Sequence, residues 1–409
     1  MIVLSGPQGD VGVARTALAI GAELGGFHRV PIVAELTDLS LAATLERACG
    51  AMVHPILASQ ASARMAAFAL REPGMSQVVD ELFDFRECDL YVRDDDALTG
   101  VAFTDIVGRY ARARPLGRVR PNGDIQLNPA PETVFETGDR LVVLAQDRGP
   151  LAVDRTPVPV QPGRSLGAMA DVIGPEHLLV VGWNPFGEQL LEHWTRRANP
   201  ASTVEVAAEP DRHPEIGSRV GSLGVDGSAE LSTDAIADRI LRPSGRPAVD
   251  TVVFLADHGL DRTEADVRVL LELAALRTAL AGTAAPRLVV ELRDVDSLPL
   301  VDLPGPDDYV VSDASASRFI AQLAEQPERR RVFLELYDPS TSTLRVDTVD
   351  ELGLVGEFEV RALWSAAYER GLIAIGWRRR AHGGGEVVVY APVTDRVELR
   401  PGDPRVSVG

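Results

Sequence analysis

Short apolar runs alternate along this chain with stretches whose apolar residues recur every three or four positions, the signature of strands followed by amphipathic helices. The best-formed pair is HLLVVGWNPFGEQLLEHW, His177 to Trp194. An apolar run there leads into a glycine turn between Gly182 and Gly187, then into a helix carrying Leu190, Leu191 and Trp194. That order opens a Rossmann-type unit. The chain begins in the same style. Ile2 to Leu4 reads as a buried strand, Val11 to Leu24 as a helix with Val13, Leu18, Ile20 and Leu24 near one face, and Pro31 to Leu36 as a strand closed by Thr37 and Asp38. Leu39 to Cys49 predicts a helix, Val53 a strand, Ser62 to Leu70 a further helix, and GluLeuPheAsp follows at 81–84. Such alternation predicts an α/β protein built on parallel sheets.

The series returns later. Val253, Phe254 and Leu255 answer Ile2, Val3 and Leu4, a helix from Asp266 to Ala279 answers Val11 to Leu24, and the strand Leu288 to Leu292 with Asp294 answers Ile32 to Leu36 with Asp38. Arg318, Pro327 and GluLeuTyrAsp at 335–338 each stand 254 residues after Arg64, Pro73 and GluLeuPheAsp. A spacing this long means duplicated domains, since solenoid repeats run ~20 to 50 residues. A strand-rich segment follows each copy. The first has AspIleGlnLeuAsnPro at 124–129 and Gly138, Asp139 before a run at 141–145; the second has ValValValTyrAlaPro at 387–392 and Gly402, Asp403 before Val406 to Val408. Each reads as a small α+β lobe, and the proline-rich stretch from Gln146 to Asp171 as a linker. The expected organisation is a first Rossmann-like lobe over 1–84, its small lobe over 85–147, a linker over 148–176, a second Rossmann-like lobe over 177–338 and a final small lobe over 339–409.

The copies are unequal. Residues 177–251, with the glycine turn and the first strands of a sheet, precede the repeated strand in the second copy, and only Met1 precedes it in the first. Copy one therefore predicts a Rossmann-like lobe lacking its first half, with an unpaired parallel edge of the kind isolated domains avoid. Either the natural chain continues upstream, the preferred explanation, or another subunit covers the edge.

Composition narrows the partners. At 409 residues and 45% hydrophobic content the chain can bury more than one core. A formal net charge of −19 argues against a nucleic-acid groove or an anionic membrane surface, leaving cations, basic proteins and neutral ligands. Cys49 and Cys88 are too few for a disulfide framework and point to a reducing cytoplasm. No run approaches the ~18 apolar residues of a membrane span, and no signal peptide opens the chain, so the chain as given is expected to be soluble.

A Rossmann-like lobe followed by a small α+β lobe, duplicated in tandem, resembles the RCK (TrkA-type) regulators that form gating rings of cation channels and K⁺ transporters. ValValGlyTrpAsnProPheGly at 180–187 looks like the first turn of such a domain. AspIleGlnLeuAsnPro and ThrGlyAspArgLeuValValLeuAla at 137–145 are similar to the closing strands of its C-terminal lobe. Residues 358–378, PheGluValArgAlaLeuTrpSerAlaAlaTyrGluArgGlyLeuIleAlaIleGlyTrpArg, look like the final lobe of the CASTOR/POLLUX ion channels. The resemblance implies a homotetrameric ring on the cytoplasmic face of a membrane, each chain giving two domains, that couples ligand binding to a pore in the same longer chain or in a separate subunit. It also implies that the helices from Ser62 to Leu70 (Met65, Ala66, Phe68, Ala69) and from Ser317 to Ala324 (Phe319, Ile320, Leu323) cross over to pack against a neighbour. Two alternatives stand beside this: a soluble TrkA-like subunit of a separate K⁺ transporter, and a degenerate NAD-dependent oxidoreductase using the same glycine turn with His382.

Several residues are candidates for ligand chemistry. In a G-x-G-x-x-G alignment Gly182 and Gly187 take the first and third positions and Asn184 the middle one, where a side chain crowds a pyrophosphate. Glu209 follows the strand Thr203 to Ala207 and is placed to accept ribose hydroxyls. The turn is thus either a nucleotide site or simply a fold-forming element. SerGlyProGlnGlyAspValGly at 5–12 lacks the Lys and Ser or Thr of a P-loop. Asp94, Asp95 and Asp96, and Asp307 with Asp308, are the densest carboxylate groups that Ca²⁺ could use, though without EF-hand spacing, and a solvated acidic turn is the competing account. No HExxH, G-x-S-x-G or Cys/His ligand spacing occurs, so an enzyme is not expected.

Overall fold

The computed structural model describes residues 1–6, 8–26, 30–70, 74–82, 88–110, 112–146, 149, 151, 153, 174–196, 198–208, 216, 226–229, 232–242, 248–301, 307–337, 344–378 and 387–409. Two compact units form, and each draws on both copies of the repeat. One comprises residues 2–76 and 171–320, the other 77–170 and 321–409 together with Met1.

In the first of these units, the second copy builds six parallel strands in the spatial order Asp226–Ala229, Thr203–Ala207, His177–Val181, Thr251–Phe254, Arg287–Leu292, Asp308–Val311. Chain order reverses between His177–Val181 and Thr251–Phe254, which makes this a doubly wound sheet with its switch point there. The strands read as near-continuous apolar runs because both faces are covered. Leu179, Val180, Val252, Leu288 and Val290 are wholly buried, and Val269, Leu273 and Leu276 of the helix Arg262–Ala279 pack in the same core.

The first copy builds only three parallel strands, Ile2–Val3, Ile32–Glu35 and Val53–Ile56, in that order. The expectation of a buried opening strand holds for Val3 alone. Ile2 is 44% and Leu4 60% exposed, because among the described residues Ile2–Val3 pairs only with Ile32–Glu35. Its counterpart Thr251–Phe254 pairs on both sides, and Phe254 and Leu255 are buried.

Equivalent hydrogen bonds mark the duplication. Asp10 accepts the N–H groups of Thr37 (2.9 Å) and Asp38 (2.7 Å), and Asp266 accepts those of Arg293 (2.8 Å) and Asp294 (3.0 Å). Glu35 accepts the Ser5 N–H at 3.0 Å, and Glu291 accepts the Ala256 N–H at 3.1 Å. Both carboxylates close the step from one strand to the next, where backbone donors would otherwise go unpaired.

In the second unit each small lobe is a four-stranded antiparallel sheet. The orders are Asp89–Asp94, Arg140–Ala145, Ala113–Val119, Ile125–Leu127 and Leu344–Thr348, Pro404–Val408, Ile373–Arg378, Val387–Val388, with Gly356–Glu359 and Arg396–Leu399 as an added pair. The register slips at the same place in both sheets, between Pro115 and Gly117 and between Ala374 and Gly376. An added Cβ at Gly117 would overlap the carbonyl oxygen of Gln126, and one at Gly376 that of Val388, so only glycine fits. The turn before the last strand also recurs. Gly138 and Gly402 have positive φ, while Asp139 accepts the Glu136 N–H and Asp403 the Arg400 N–H.

Candidate functional site

The glycine turn sits at the carboxyl end of His177–Val181, at the switch point of the six-stranded sheet, where doubly wound folds place ligands. Gly182 has φ +87°, and a Cβ there would stand 2.9 Å from the Leu255 carbonyl oxygen. At Gly187 a Cβ would collide with Leu255 Cδ1. Both glycines are therefore required by the close approach of the neighbouring strand end, independent of any ligand.

Asn184 departs from the expectation that its side chain would crowd a phosphate. It is buried, and its Oδ1 accepts the Gly187 N–H at 2.7 Å, capping the helix Pro185–Thr195. Its Nδ2 donates to the Ala256 carbonyl and to Glu291 Oε2, each at 2.7 Å. Pro185 at the first helical position has no N–H, and the Glu188 N–H is taken by the Asn184 carbonyl. The helix N-terminus thus keeps few amides for an anion, and the Glu291 carboxylate beneath it opposes one. Glu209, the expected ribose partner, lies outside the described residues, as does His382.

Glu291 is the organising residue that sequence reasoning missed. It is 1% exposed and ties two loops together: Asn184 after one strand, and Ala256 and His258 after its neighbour, the His258 Nε2 lying 3.0 Å from Glu291 Oε1. A glutamate ending an apolar strand in RLVVEL, matched by Glu35 in IVAE, was the available signal.

The acidic candidates have structural work of their own. Asp95 accepts the Ala97 N–H at 3.1 Å and the Tyr110 hydroxyl at 3.0 Å, while Asp94 and Asp96 are exposed. Among the described residues no group of three or more His, Cys, Asp or Glu side chains converges as a metal site. Asp307 accepts the Leu288 N–H at 2.7 Å. Asp308 is 4% exposed and accepts from the Gly74 N–H (2.9 Å), the Ser76 hydroxyl and Arg287 (3.4 Å), with burial raising its carboxyl above the usual range. Arg287 also donates to the Leu70 carbonyl at 2.7 Å. Asp308 and Arg287 thus hold the segment that leaves the helix Ala58–Ala69.

That helix meets its neighbour inside the chain. Ala58–Ala69 packs on Pro185–Thr195, and Met65, Ala66 and Phe68 are buried, as are Leu190, Leu191 and Trp194. Beside this contact burial holds the His193 imidazole down to about 4, with the Arg64 and Arg196 cations adding to the effect. In copy two it is the next helix, the counterpart of Met75–Leu82, that packs on the first small lobe, within the other unit. The helix Arg329–Leu336 lies against Asp89–Asp94 and Ile125–Leu127. Arg329, fully buried, donates to Asp89 at 2.7 Å and to Gln322 and lies 4.8 Å over the Tyr91 ring, while Gln326 bonds both the N–H and the carbonyl of Val92. Each copy's crossover segment is thereby anchored on the other copy.

The comparisons agree with this architecture. A family profile described as Castor and Pollux, part of voltage-gated ion channel, matches residues 60–160. The chain is 24% identical over 413 residues to the ion channel CASTOR of Lotus japonicus, covering 91% of this chain and 48% of that one. It is 23% identical over 368 residues to the probable ion channel POLLUX of Arabidopsis thaliana, covering 81% and 44%. It spans about half the length of the curated relatives it matches. Its fold is similar to that of the human SLO3 gating ring, with TM-score 0.67 and 12% identity over 100% of this chain and 86% of that one. Over most of its length the chain is similar in sequence to the CASTOR and POLLUX ion channels, and its α/β fold with parallel, Rossmann-like sheets is similar to that of a gating ring.

Proposed function

We propose that this chain is the regulatory, gating-ring region of a CASTOR/POLLUX-like cation channel. The observation that carries the reading is the intrachain pairing of two RCK-type domains through exchanged crossovers, in a chain similar to channel sequences over 91% of its length. Among the described residues no helix is long and apolar enough to cross a membrane, so the pore belongs to other polypeptide, in the same longer chain or in a partner. Four chains would form the ring on the cytoplasmic face, with the copies divided near residues 84 and 338. A ligand that binds one ring conformation better than the other would shift the pore equilibrium by that difference in affinity.

In this reading the turn at Gly182, Asn184 and Gly187 is a structural joint rather than a nucleotide or catalytic site, and the chain is not an enzyme. The test is ion flux through the native complex, extracted in detergent and reconstituted in vesicles, before and after proteolytic removal of this region. Flux whose ligand or voltage dependence disappears with the region is the expected result. Unchanged gating would sink the proposal, and substrate-dependent oxidation of NADH by the purified chain would replace it with the oxidoreductase reading.

A further inference from the structure

The duplication repeats an exposure that folding alone does not call for. Val11 and Leu39 directly follow Asp10 and Asp38, which one hydrogen bond joins, so the starts of the helices Gly9–Glu23 and Leu39–Cys49 lie side by side. Val267 and Val295 follow Asp266 and Asp294 in the same way, in the first half of Arg262–Ala279 and at the start of the 3₁₀ turn Val295–Leu300. Each residue stands 256 positions from its counterpart, as Asp10 does from Asp266. All four side chains are exposed. A single apolar residue at a surface is ordinary, but here the same pair stays uncovered in both copies. Each pair extends along the face of its helix, through Leu18 in copy one and Leu271 in copy two, both exposed.

The charges beside the two pairs differ. Arg15 takes the place that Leu271 has in copy two, while Glu272 and Asp296 take the places of Thr16 and Ser40. All three charged side chains are exposed. Arg262 and Arg268, the cations of the second helix that flank Val267, are held by Asp313 and Glu264 at 3.1 and 2.8 Å. Copy one thus offers an apolar patch with a cation beside it, and copy two an apolar patch with two carboxylates beside it. We propose that these are the two halves of one contact between neighbouring copies of this chain, the copy-one patch of one molecule seated on the copy-two patch of the next. Apolar residues then meet apolar residues, and Arg15 faces Glu272 and Asp296. Pairing each patch with its own kind instead sets Arg15 against Arg15, or carboxylates against carboxylates, and such juxtaposed like charges suppress association. A contact between two different patches runs head to tail, so it repeats from chain to chain until it closes into a ring. Closure rests on the gating-ring reading above, which the contact deepens by naming the surfaces that join.

The experiment is sedimentation equilibrium of the whole 409-residue chain over a concentration series, with the variants Leu39→Asp and Leu271→Asp. Leu39 is 62% and Leu271 65% exposed, so both variants should melt close to the native chain. The native chain is expected to assemble, and each variant alone to self-associate at least about tenfold more weakly. An equimolar mixture of the two variants is the discriminating sample. One kind of molecule keeps only an intact copy-two patch and the other only an intact copy-one patch, so the mixture should form one-to-one dimers and nothing larger. Should either variant melt early, Arg15→Glu and Glu272→Arg replace them, and the two changes in one chain should recover part of the assembly that each alone weakens. A native chain that stays monomeric at every concentration, variants that assemble as it does, or a mixture that stays monomeric overturns the proposal. The flux experiment reads gating and this one reads association, so either can fail while the other stands.

Discussion

The two Rossmann-like sheets solve the same problem with different amounts of chain. Both join strand to strand through the same carboxylates, Glu35 and Asp10 in one, Glu291 and Asp266 in the other. The six-stranded sheet surrounds its fourth strand with a neighbour on each side, so Val253 is 2% and Leu255 5% exposed. In the three-stranded sheet the matching Ile2 and Leu4 are 44% and 60% exposed. Identical local chemistry thus yields a closed core in one copy and an open edge in the other. The difference teaches that the burial of a strand end is set by the strands beside it and not by its own apolar residues.

The largest asymmetry to break is at the crossover anchors. Arg329 opens the helix Arg329–Leu336, and Met75 holds the same place in Met75–Leu82. Both are fully buried, but only the arginine answers a charge, Asp89. Arg329→Ala should cost about 3–5 kcal/mol in urea unfolding, because Asp89 is left buried without its cation. Met75→Ala should cost about 2–5 kcal/mol from its cavity alone, and adding Asp89→Asn should rescue the first variant but not the second.

The strand ends come next. Leu255→Ala should lose about 2–5 kcal/mol and Leu4→Ala less than about 0.5 kcal/mol in the isolated chain. If Leu4→Ala cost as much as Leu255→Ala in the native assembly, the edge of copy one would be covered there as completely as that of copy two. Glu291→Gln should follow at about 1–3 kcal/mol, since three donors converge on that carboxylate, whereas Glu35→Gln should cost about 0.5 kcal/mol.

The smallest effect is on pH. His193 titrates at about 4 in the folded chain, while the unfolded side chain takes its proton near ~6.5. Between these values the unfolded state binds more protons, so stability rises with pH and is lost as pH falls from ~6.5 toward 4. After allowance for partial exposure the loss is about 1 kcal/mol, and His193→Gln should flatten that part of the pH profile of the melting temperature.

Much of this was legible in the sequence because it lies in local periodicity. The duplicated strand and helix order, the small lobes with their Gly-Asp turns, and the glycine turn before Pro185–Thr195 all follow from residue spacing. Burial at the first strand was misjudged for a physical reason: an apolar run such as Ile2 to Leu4 predicts a strand, but only the neighbouring strands decide whether it is covered. The destination of the crossover helix Ala58–Ala69 depended on a contact with residues more than a hundred positions away. Asp308 stood in sequence between a candidate Ca²⁺ ligand and a solvated acidic turn, because a carboxylate in sequence does not reveal that Gly74, Ser76 and Arg287 surround it. Glu291 was overlooked because a lone glutamate in an apolar strand gains meaning only when Asn184, Ala256 and His258 are seen to share it.

The most direct measurement of the central claim is the location and company of the native protein, followed with an antibody against the final small lobe after membrane sedimentation and detergent extraction. The gating-ring account predicts that the antigen sediments with membranes and that the extracted, size-selected particle contains membrane-spanning polypeptide and several copies of this chain. An antigen that stays in the soluble fraction at all protein concentrations, with no membrane protein in its complex, would contradict it.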